Sequence, residues 1–293
     1  MKIKRSVGER IFECCNIVFM LIIIVVMAYP LLYVIFASLS DANKFIAHEG
    51  GLLAPIGFTF KAYEMMSKNS MILRGYLNTL FIVVVGTTVN VILTSLGAYF
   101  LSTKGLTLKK PIAVLIIATM YFSGGIIPMY FNVMGMGLGN TYYAIILPVA
   151  INTFNLMVMR SAFDSIPNSL KESAYLDGAG DWYVLFKIVL PLSRATVAVM
   201  ILYYGVERWN SWFNEALYLD DRELYPLQLI LREILVQNDT SSMSQGILME
   251  DQYAIGETIK YAVTVVATLP ILCVYPFLQK YFEKGVMLGA IKE

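Results

Sequence analysis

The chain has 293 residues, of which 58 % are hydrophobic and 15 % are charged, and its formal net charge is +1. Soluble domains carry about 25 % charged residues, so this composition excludes an ordinary soluble domain. Nucleic-acid binding needs clustered lysine and arginine, and the near-neutral balance gives no indication of it. With a single histidine, His48, and no His/Cys/Asp cluster, the sequence offers neither a metal site nor a nucleophilic triad.

The hydrophobic residues are concentrated in blocks long enough to cross a bilayer, which takes about 20 predominantly apolar residues. The blocks cover residues 17–37, 76–101, 111–130, 142–159, 195–217 and 261–282. The chain is therefore predicted to be an all-α, polytopic membrane protein with about six transmembrane helices. Residues 1–75 would hold the N-terminal span and the first outer loop, and residues 76–293 would form the core.

Lysine and arginine set the predicted orientation, because cytoplasmic loops carry an excess of both. With the N-terminus inside, the inner segments and the inner end of the last span hold fourteen of these residues. The outer segments are longer but hold only seven. Both termini are therefore predicted to face the cytoplasm.

The outer segment 218–260 contains one patterned stretch. Residues 225–235 place apolar side chains at helical spacing, which predicts an amphipathic helix at the membrane interface. Such a helix could help receive an extracellular partner, or it could cap the helical bundle. The sequence leaves both interpretations open.

The inner segment 160–194 carries the most specific pattern in the chain. Ser169 and Glu172, three residues apart, match a capping box and predict a helix that runs to about Asp177. Gly178 then permits a sharp reversal of the backbone. Because this helix lies between two spans and outside the lipid, we expect it to meet another protein.

A second short helix is predicted directly after the reversal. Asp181 is a candidate N-cap for an aromatic-rich segment, and Pro191 is expected to end that segment before the fifth span.

The same segment resembles a family signature, that of the permease subunits of binding-protein-dependent ABC importers. The family pattern is Glu-Ala-Ala, three residues, Gly, nine residues, Ile, one residue, Leu-Pro. This chain supplies Glu172-Ser173-Ala174, Gly178, Ile188 and Leu190-Pro191 at that spacing, and only Ser173 departs from it.

The resemblance implies a function for the first helix. In that family it docks into a cleft on a cytoplasmic ATPase subunit and transmits the closure of that subunit to the spans. The residues to which the resemblance assigns this coupling are Glu172, Ser173, Ala174, Asp177 and Gly178.

The resemblance also implies a set of partners in a bacterial cell membrane: a second homologous permease, two cytoplasmic ATPases and an extracytoplasmic sugar-binding protein, with membrane lipid around the spans. The chain lacks the G-x-x-x-x-G-K-[ST] phosphate-binding loop. It is therefore expected to be no enzyme and to hold no cofactor, while ATP and Mg²⁺ bind to the partner ATPases.

Three further stretches resemble the carbohydrate branch of the family. Asp177-Gly178-Ala179 is the variant found in oligosaccharide importers, and the tail 283–293 resembles that of the maltose-type second permease, which reaches the ATPase interface. Residues 122–128 resemble a subgroup connected with lipoproteins or with sugars from complex polysaccharides. Relatives often have a second proline where this chain has Ala195, so a less kinked entry to the fifth span is expected.

The substrate path is predicted from side chains that suit a sugar, namely aromatic faces for the ring and amides or carboxylates for its hydroxyls. The candidates are Tyr121, Asn152, Asn155, Tyr204, Glu207, Trp209, Asn210 and Trp212. An ionisable residue at membrane depth is costly unless it faces protein or water. The alternative is that the tryptophans form an interfacial belt and that Glu207 and Arg208 brace the bundle. In that interpretation Asn78, Asn90, Tyr121, Asn152 and Asn155 each form a hydrogen bond between helices.

Gly124, Gly125 and Pro128 could break the third span, or merely allow close packing. The function predicted from the whole chain is ATP-driven import of an oligosaccharide. The other functions considered are an ABC permease for a different solute, an ion-coupled secondary transporter and, with least support, a membrane enzyme.

Overall fold

A computed structural model of the protein describes residues 7–236, 256–274 and 276, and these residues form helices and loops without any strand. Residues 1–70 hold α1 (Val7–Ser38), α2 (Ala42–Ile46) and α3 (Lys61–Lys68), with α4 (Ser70–Ser102) beginning at their end. The following helices are α5 (Lys109–Ala118), α6 (Ile126–Gly135), α7 (Tyr142–Ile146), α8 (Thr153–Asp164), α9 (Asn168–Leu176), α10 (Asp181–Tyr183), a π-helix (Val184–Val189), α11 (Leu190–Leu192), α12 (Arg194–Asn210), α13 (Phe213–Tyr218), a 3-10 turn (Arg222–Leu224) and α14 (Leu227–Val236). The last described helix is α15 (Gly256–Val274).

The described residues belong to two compact units. One comprises those within Met1–Ser70 and Glu233–Thr268, and the other those within Met71–Arg232 and Leu269–Glu293. In the first unit, edge-to-face contacts join Tyr33, Phe45 and Tyr261 with ring centroids 5.5–6.4 Å apart. These contacts hold α1, α2 and α15 together, and a 2.7 Å hydrogen bond between Ser38 and Tyr63 adds α3.

Three described helices, α1, α4 and α15, are long and apolar enough to cross a membrane. They match the predicted first, second and sixth spans, and each extends beyond the predicted start. The last residues of the sixth predicted span, 277–282, and the tail 283–293 lie outside the described residues. A fourth crossing is counted when the bent pair formed by residues 181–192 and 194–210 is taken as one span.

The predicted third and fourth spans are not continuous helices, and the prediction is corrected there. Residues 119–125 separate α5 from α6, and residues 147–152 separate α7 from α8. Gly125 has φ of +87°, a conformation that residues with a side chain rarely adopt, and α6 begins directly after it. Broken backbone is tolerated at membrane depth only where protein or water surrounds it.

The entry to the fifth span is strongly bent, contrary to the expectation drawn from Ala195. The two helical segments on either side of Ser193 meet at 86°. Pro191 removes the hydrogen bond to the carbonyl four residues earlier, and the π-helix Val184–Val189 lies immediately before it. The helix continues through Pro191 to Leu192, so the bend forms without a second proline.

The core of the second unit lies around the bent segment. Its fully buried members include Met159, Phe163, Leu185, Val189 and Met200. They come from α8, the π-helix and α12, and part of α4 packs against the same cluster. This apolar cluster supports the base of the segment that the sequence singles out for coupling.

The amphipathic helix predicted in the outer segment is confirmed as α14. The hydroxyl of Thr79 in α4 accepts a hydrogen bond from the backbone N–H of Leu227 at 2.8 Å. Asn78 donates to the carbonyls of Glu223 and Tyr225, in the segment that leads into α14, at 2.7 and 3.0 Å. The start of α14 is therefore fastened to α4, as the capping interpretation requires.

The close approach of α4 and α14 depends on Gly75. A Cβ at this position would collide with Cδ1 of Ile230 and lie 3.3 Å from the backbone nitrogen of Leu227.

We expect Gly75→Ala to lower the stability of the detergent-solubilised protein by about 2 kcal/mol, because overpacking displaces a backbone that is bonded in place. Thermal unfolding measures this loss. Gly135→Ala is the matched control because a Cβ there meets nothing within 4 Å; an equal effect of both substitutions would contradict the packing argument.

Candidate coupling site and transport path

The helix predicted from the capping box is present as α9, but it starts differently. Its N-cap is Pro167, with φ −53° and ψ 128°, and no side chain caps it. Ser169 therefore lies within the first turn, where a residue with helical dihedrals cannot act as N-cap. The capping box does not form; instead, the Ser173 hydroxyl donates to the Ser169 carbonyl at 2.8 Å.

The side chains assigned to coupling divide between two faces of α9. Glu172, Ser173 and Asp177 are exposed, and Gly178 follows with φ of +81°, which confirms the predicted reversal. Ala174 is 9 % exposed and packs into the core of its own unit. The exposed face is therefore available to a partner, while Ala174 sets the distance between α9 and the bundle.

One apolar side chain on the exposed face has no counterpart in the sequence prediction. Leu176 is 89 % exposed at the end of α9. The exposed face of α9 therefore carries an apolar side chain as well as the acidic Glu172 and Asp177. The helical pattern alone could have identified it, since Leu176 follows Glu172 by four residues and so shares its face.

The inner face of α9 is anchored by a buried lysine. Lys171 is 8 % exposed, and its Nζ donates to the carbonyl of Phe163, near the end of α8, at 3.2 Å. Carbonyls near a helix C-terminus lack intrahelical partners and favour a cation. Burial lowers the pKa of Lys171, while the nearby charge of Asp164 acts in the opposite direction.

The expected N-cap at Asp181 is also corrected. Gly180 is the N-cap of α10, and the carboxylate of Asp181 instead accepts hydrogen bonds from Tyr175 at 2.6 Å and Tyr99 at 3.2 Å. The two phenol oxygens lie 2.8 Å apart. Burial, and next the hydrogen bond to Asp181, raise the pKa of Tyr175. Two phenols thus compete successfully with the backbone for this carboxylate.

The predicted path residues are found in different surroundings. Tyr121, Asn152, Glu207 and Asn210 are exposed, Trp212 is half-buried, and Asn155, Tyr204 and Trp209 are buried. On α12 the difference follows helical spacing: Glu207 and Asn210 lie on the exposed side, whereas Tyr204 and Arg208, four residues apart, lie on the buried side.

The buried aromatic side chains make specific contacts. The hydroxyl of Tyr204 is 2.7 Å from that of Thr94 and accepts from the backbone N–H of Asn152 at 3.1 Å. It thereby joins α12 to α4 and to the start of α8. Trp209 packs edge-on against Tyr76, and the guanidinium of Arg232 lies over the ring of Trp212 at 3.9 Å.

Arg208 holds the break between α7 and α8. It is 6 % exposed, and its guanidinium donates to the carbonyls of Ile145, Ile146 and Val149 at 2.5, 3.2 and 3.4 Å. It also donates to Oδ1 of Asn90 at 3.1 Å. Gly86 leaves room for the guanidinium, since a Cβ there would lie 3.2 Å from its Nε.

Asn90 completes the same arrangement from α4. Its amide donates to the carbonyls of Val149 and Ala150, both at 2.8 Å. Arg208, not Glu207, braces the bundle, while Glu207 remains on the exposed side.

Within the described residues no group of His, Cys, Asp and Glu is placed to hold a metal ion. Long apolar helices, broken helices supported by polar side chains, and an exposed helix placed between apolar segments together define a multi-pass membrane transport component.

The sequence matches the family of binding-protein-dependent transport system inner membrane components over residues 4–288. It is 40 % identical to the polygalacturonan/rhamnogalacturonan transport system permease protein YtcP of Bacillus subtilis, over 97 % of this chain and 99 % of that protein. Protein LplC of the same organism is 39 % identical, over 97 % of this chain and 95 % of its own length.

The chain is also similar in structure to a solved protein. It belongs to a bacterial ABC transporter involved in the import of the acidic polysaccharide alginate, and it superimposes with a TM-score of 0.88 at 30 % identity, covering 96 % of this chain and 100 % of that one. The protein belongs to the binding-protein-dependent inner-membrane permease family of ABC importers, and is a multi-pass, non-catalytic membrane subunit. The resemblance carried by Glu172–Pro191 is thereby confirmed.

The Arg208 arrangement can be tested by substitution. Arg208→Met leaves the carbonyls of Ile145 and Ile146 without these donors in a buried site, and we expect a loss of about 3 kcal/mol of stability. Arg208→Lys should recover part of it, because one ammonium reaches fewer of the carbonyls. Thermal unfolding in detergent measures both variants.

The control for this prediction is Arg74→Met. Arg74 pairs with Glu223 at 2.8 Å, but both side chains are more than half exposed, and such a surface pair contributes about 1 kcal/mol or less. Comparable losses at Arg74 and Arg208 would contradict the proposed importance of the buried arrangement.

Proposed function

We propose that this chain is the membrane-spanning half of an ATP-driven importer that moves an oligosaccharide delivered by an extracytoplasmic binding protein. The observation that carries the proposal is α9. It presents Glu172, Ser173, Asp177 and Leu176 outwards and is anchored to its own bundle through Lys171 and Ala174. A helix built in this way can receive a force from a partner and pass it to the spans.

The energy source in this proposal is a pair of separate cytoplasmic ATPases that bind ATP and Mg²⁺. A second homologous permease completes the membrane part, with lipid around it. The lysine and arginine bias supports cytoplasmic termini, which would put α9 on the same side as the ATPases. The tail 283–293 is proposed to reach the ATPase interface, as its resemblance to the maltose-type tail implies. The assignment of residues 76–293 to one permease core remains a prediction.

The proposed substrate is an oligosaccharide, and within that class we favour acidic oligosaccharides. The relative at 40 % identity is named for polygalacturonan and rhamnogalacturonan transport, and the similar structure belongs to an importer of an acidic polysaccharide. In the path, Tyr121, Asn152, Glu207 and Asn210 are exposed and can meet the sugar without rearrangement.

The other candidate path residues would act from behind the surface. Asn155, Tyr204 and Trp209 are buried and would shape the wall, and Trp212 would offer the part of its ring that Arg232 leaves free. An importer of another solute remains the second possibility within the family. An ion-coupled secondary transporter would need no ATPase, and the exposed acidic face of α9 argues against it.

The coupling assignment predicts a strong effect of charge reversal at Glu172. In the complex reconstituted with its ATPases and binding protein, Glu172→Lys should lower binding-protein-stimulated ATP hydrolysis by about tenfold or more, because it replaces an attractive charge at an interface by a repulsive one. Deleting residues 172–178 should abolish the stimulation.

The matched control is Glu49→Lys, which reverses an exposed acid in the predicted outer loop. It should leave the stimulation unchanged. If stimulation survives both Glu172→Lys and the deletion, α9 does not couple the complex to an ATPase.

The substrate class is tested through the cognate binding protein. Thermal-shift measurements against a panel of oligosaccharides should show stabilisation by acidic oligosaccharides, since a ligand that binds only the folded state raises its stability. Neutral oligosaccharides of equal length serve as controls. If a peptide or a polyamine stabilises the binding protein instead, the substrate is not a sugar, but the assignment to an ABC importer still holds.

A further inference from the structure

The three oxygen atoms contributed by Tyr99, Tyr175 and Asp181 form a closed hydrogen-bonded group, here called the tyrosine–aspartate cluster. Tyr175 lies on α9, Asp181 begins α10, and Tyr99 lies near the end of α4. The pairwise distances are 2.6, 2.8 and 3.2 Å. The cluster therefore joins the candidate coupling helix, the segment after its reversal and a long transmembrane helix.

The chemistry of the cluster favours one arrangement of protons. A carboxylate accepts only, and each phenol has a single proton to donate. Tyr175 donates to Asp181 at 2.6 Å, within the range of a charge-assisted O–H···O⁻ bond. Tyr99 then has both Oδ1 of Asp181 and the oxygen of Tyr175 within reach. Both phenols are thus oriented by one negative charge.

The burial of the members shows where the cluster is anchored. Tyr99 is 9 % exposed and belongs to the core of the second unit, whereas Tyr175 is 41 % exposed. The fixed end therefore lies on α4 and the adjustable end on α9. Lys171, four residues before Tyr175, is bonded to the carbonyl of Phe163 on the same side of α9.

We propose that Tyr99, Tyr175 and Asp181 are positioning residues that transmit the displacement of α9 to α4, an inference that rests on the proposed coupling function of α9. Lys171 holds α9 to α8 through one bond to a carbonyl. The cluster supplies a second, directional link that leads to a transmembrane helix 33 residues long. Because α9 is linked to two different helices, a displacement of α9 would be passed on to both α8 and α4.

The test uses the full complex with its ATPases and binding protein. Tyr175→Phe and Tyr99→Phe remove one hydroxyl each and keep the exposed acidic side chains of α9, so the ATPases should still co-purify and basal ATP hydrolysis should persist. The sugar transported per ATP hydrolysed should fall by about fivefold, the lower end of typical couplings between sites. The double variant should lose little more than either single variant, because both act through one cluster.

Two controls separate positioning from folding. Tyr183→Phe removes a hydroxyl from a neighbouring tyrosine that is 57 % exposed and should behave as the parent protein. Asp181→Asn keeps an acceptor oxygen but loses the charge, and should lower transport per ATP less than either phenylalanine variant does. The thermal unfolding of all complexes should agree closely.

A measurement on the purified chain alone separates this inference from the proposed function. Tyr175→Phe should speed amide hydrogen exchange in residues 168–181 without any ATPase present. If Glu172→Lys uncouples the complex but the phenylalanine variants transport normally, the positioning inference is overturned and the coupling site stands.

If the phenylalanine variants no longer co-purify with the ATPases, or unfold, the cluster serves docking or folding, and the inference is overturned as well. If Glu172→Lys has no effect while exchange in residues 168–181 rises, the coupling function has failed and the cluster is a purely structural link.

Discussion

The buried bonds from Arg208 and Asn90 to the carbonyls of residues 145–150 are the interaction on which the interior of the second unit depends. A bilayer offers no water to an unpaired carbonyl, so every interruption of a membrane helix must be satisfied by protein. Arg208 and Asn90 together contact the carbonyls of Ile145, Ile146, Val149 and Ala150. With these groups bonded, α7 and α8 can be separate helices, and Asn152 can start α8 with its backbone N–H bonded to Tyr204.

Hydrogen bonds between polar side chains and nearby polar groups also organise the region around α9. Lys171 meets a carbonyl near the end of α8, and Asp181 meets two phenols instead of capping α10. These contacts all lie on the side of α9 that faces its own bundle. The acidic and apolar groups on the other side are consequently left for a partner. A helix with one side fastened and one side open fits the coupling function that we propose for α9.

Much of the architecture could be predicted from the order of residues, because hydrophobic length and helical spacing are local properties. α1, α4, α14 and the described part of α15 follow from their apolar patterns. The spacing from Glu172 to Pro191 was enough to identify the family. Local rules failed at both expected caps: α9 begins directly after Pro167, two residues before the expected cap Ser169, and the phenols of Tyr99 and Tyr175 bond to the carboxylate that was expected to cap α10.

The sequence by itself determined that the protein is a multi-pass helical permease with an exposed helix between spans, since bilayer thickness and motif spacing depend on neighbours along the chain. The tertiary structure decided which polar residues brace and which stay exposed. Glu207 and Arg208 are adjacent in sequence, yet a rotation of about 100° per residue places only Arg208 against the carbonyls of α7. That separation depends on where α4, α7 and α12 meet, and no local pattern contains it.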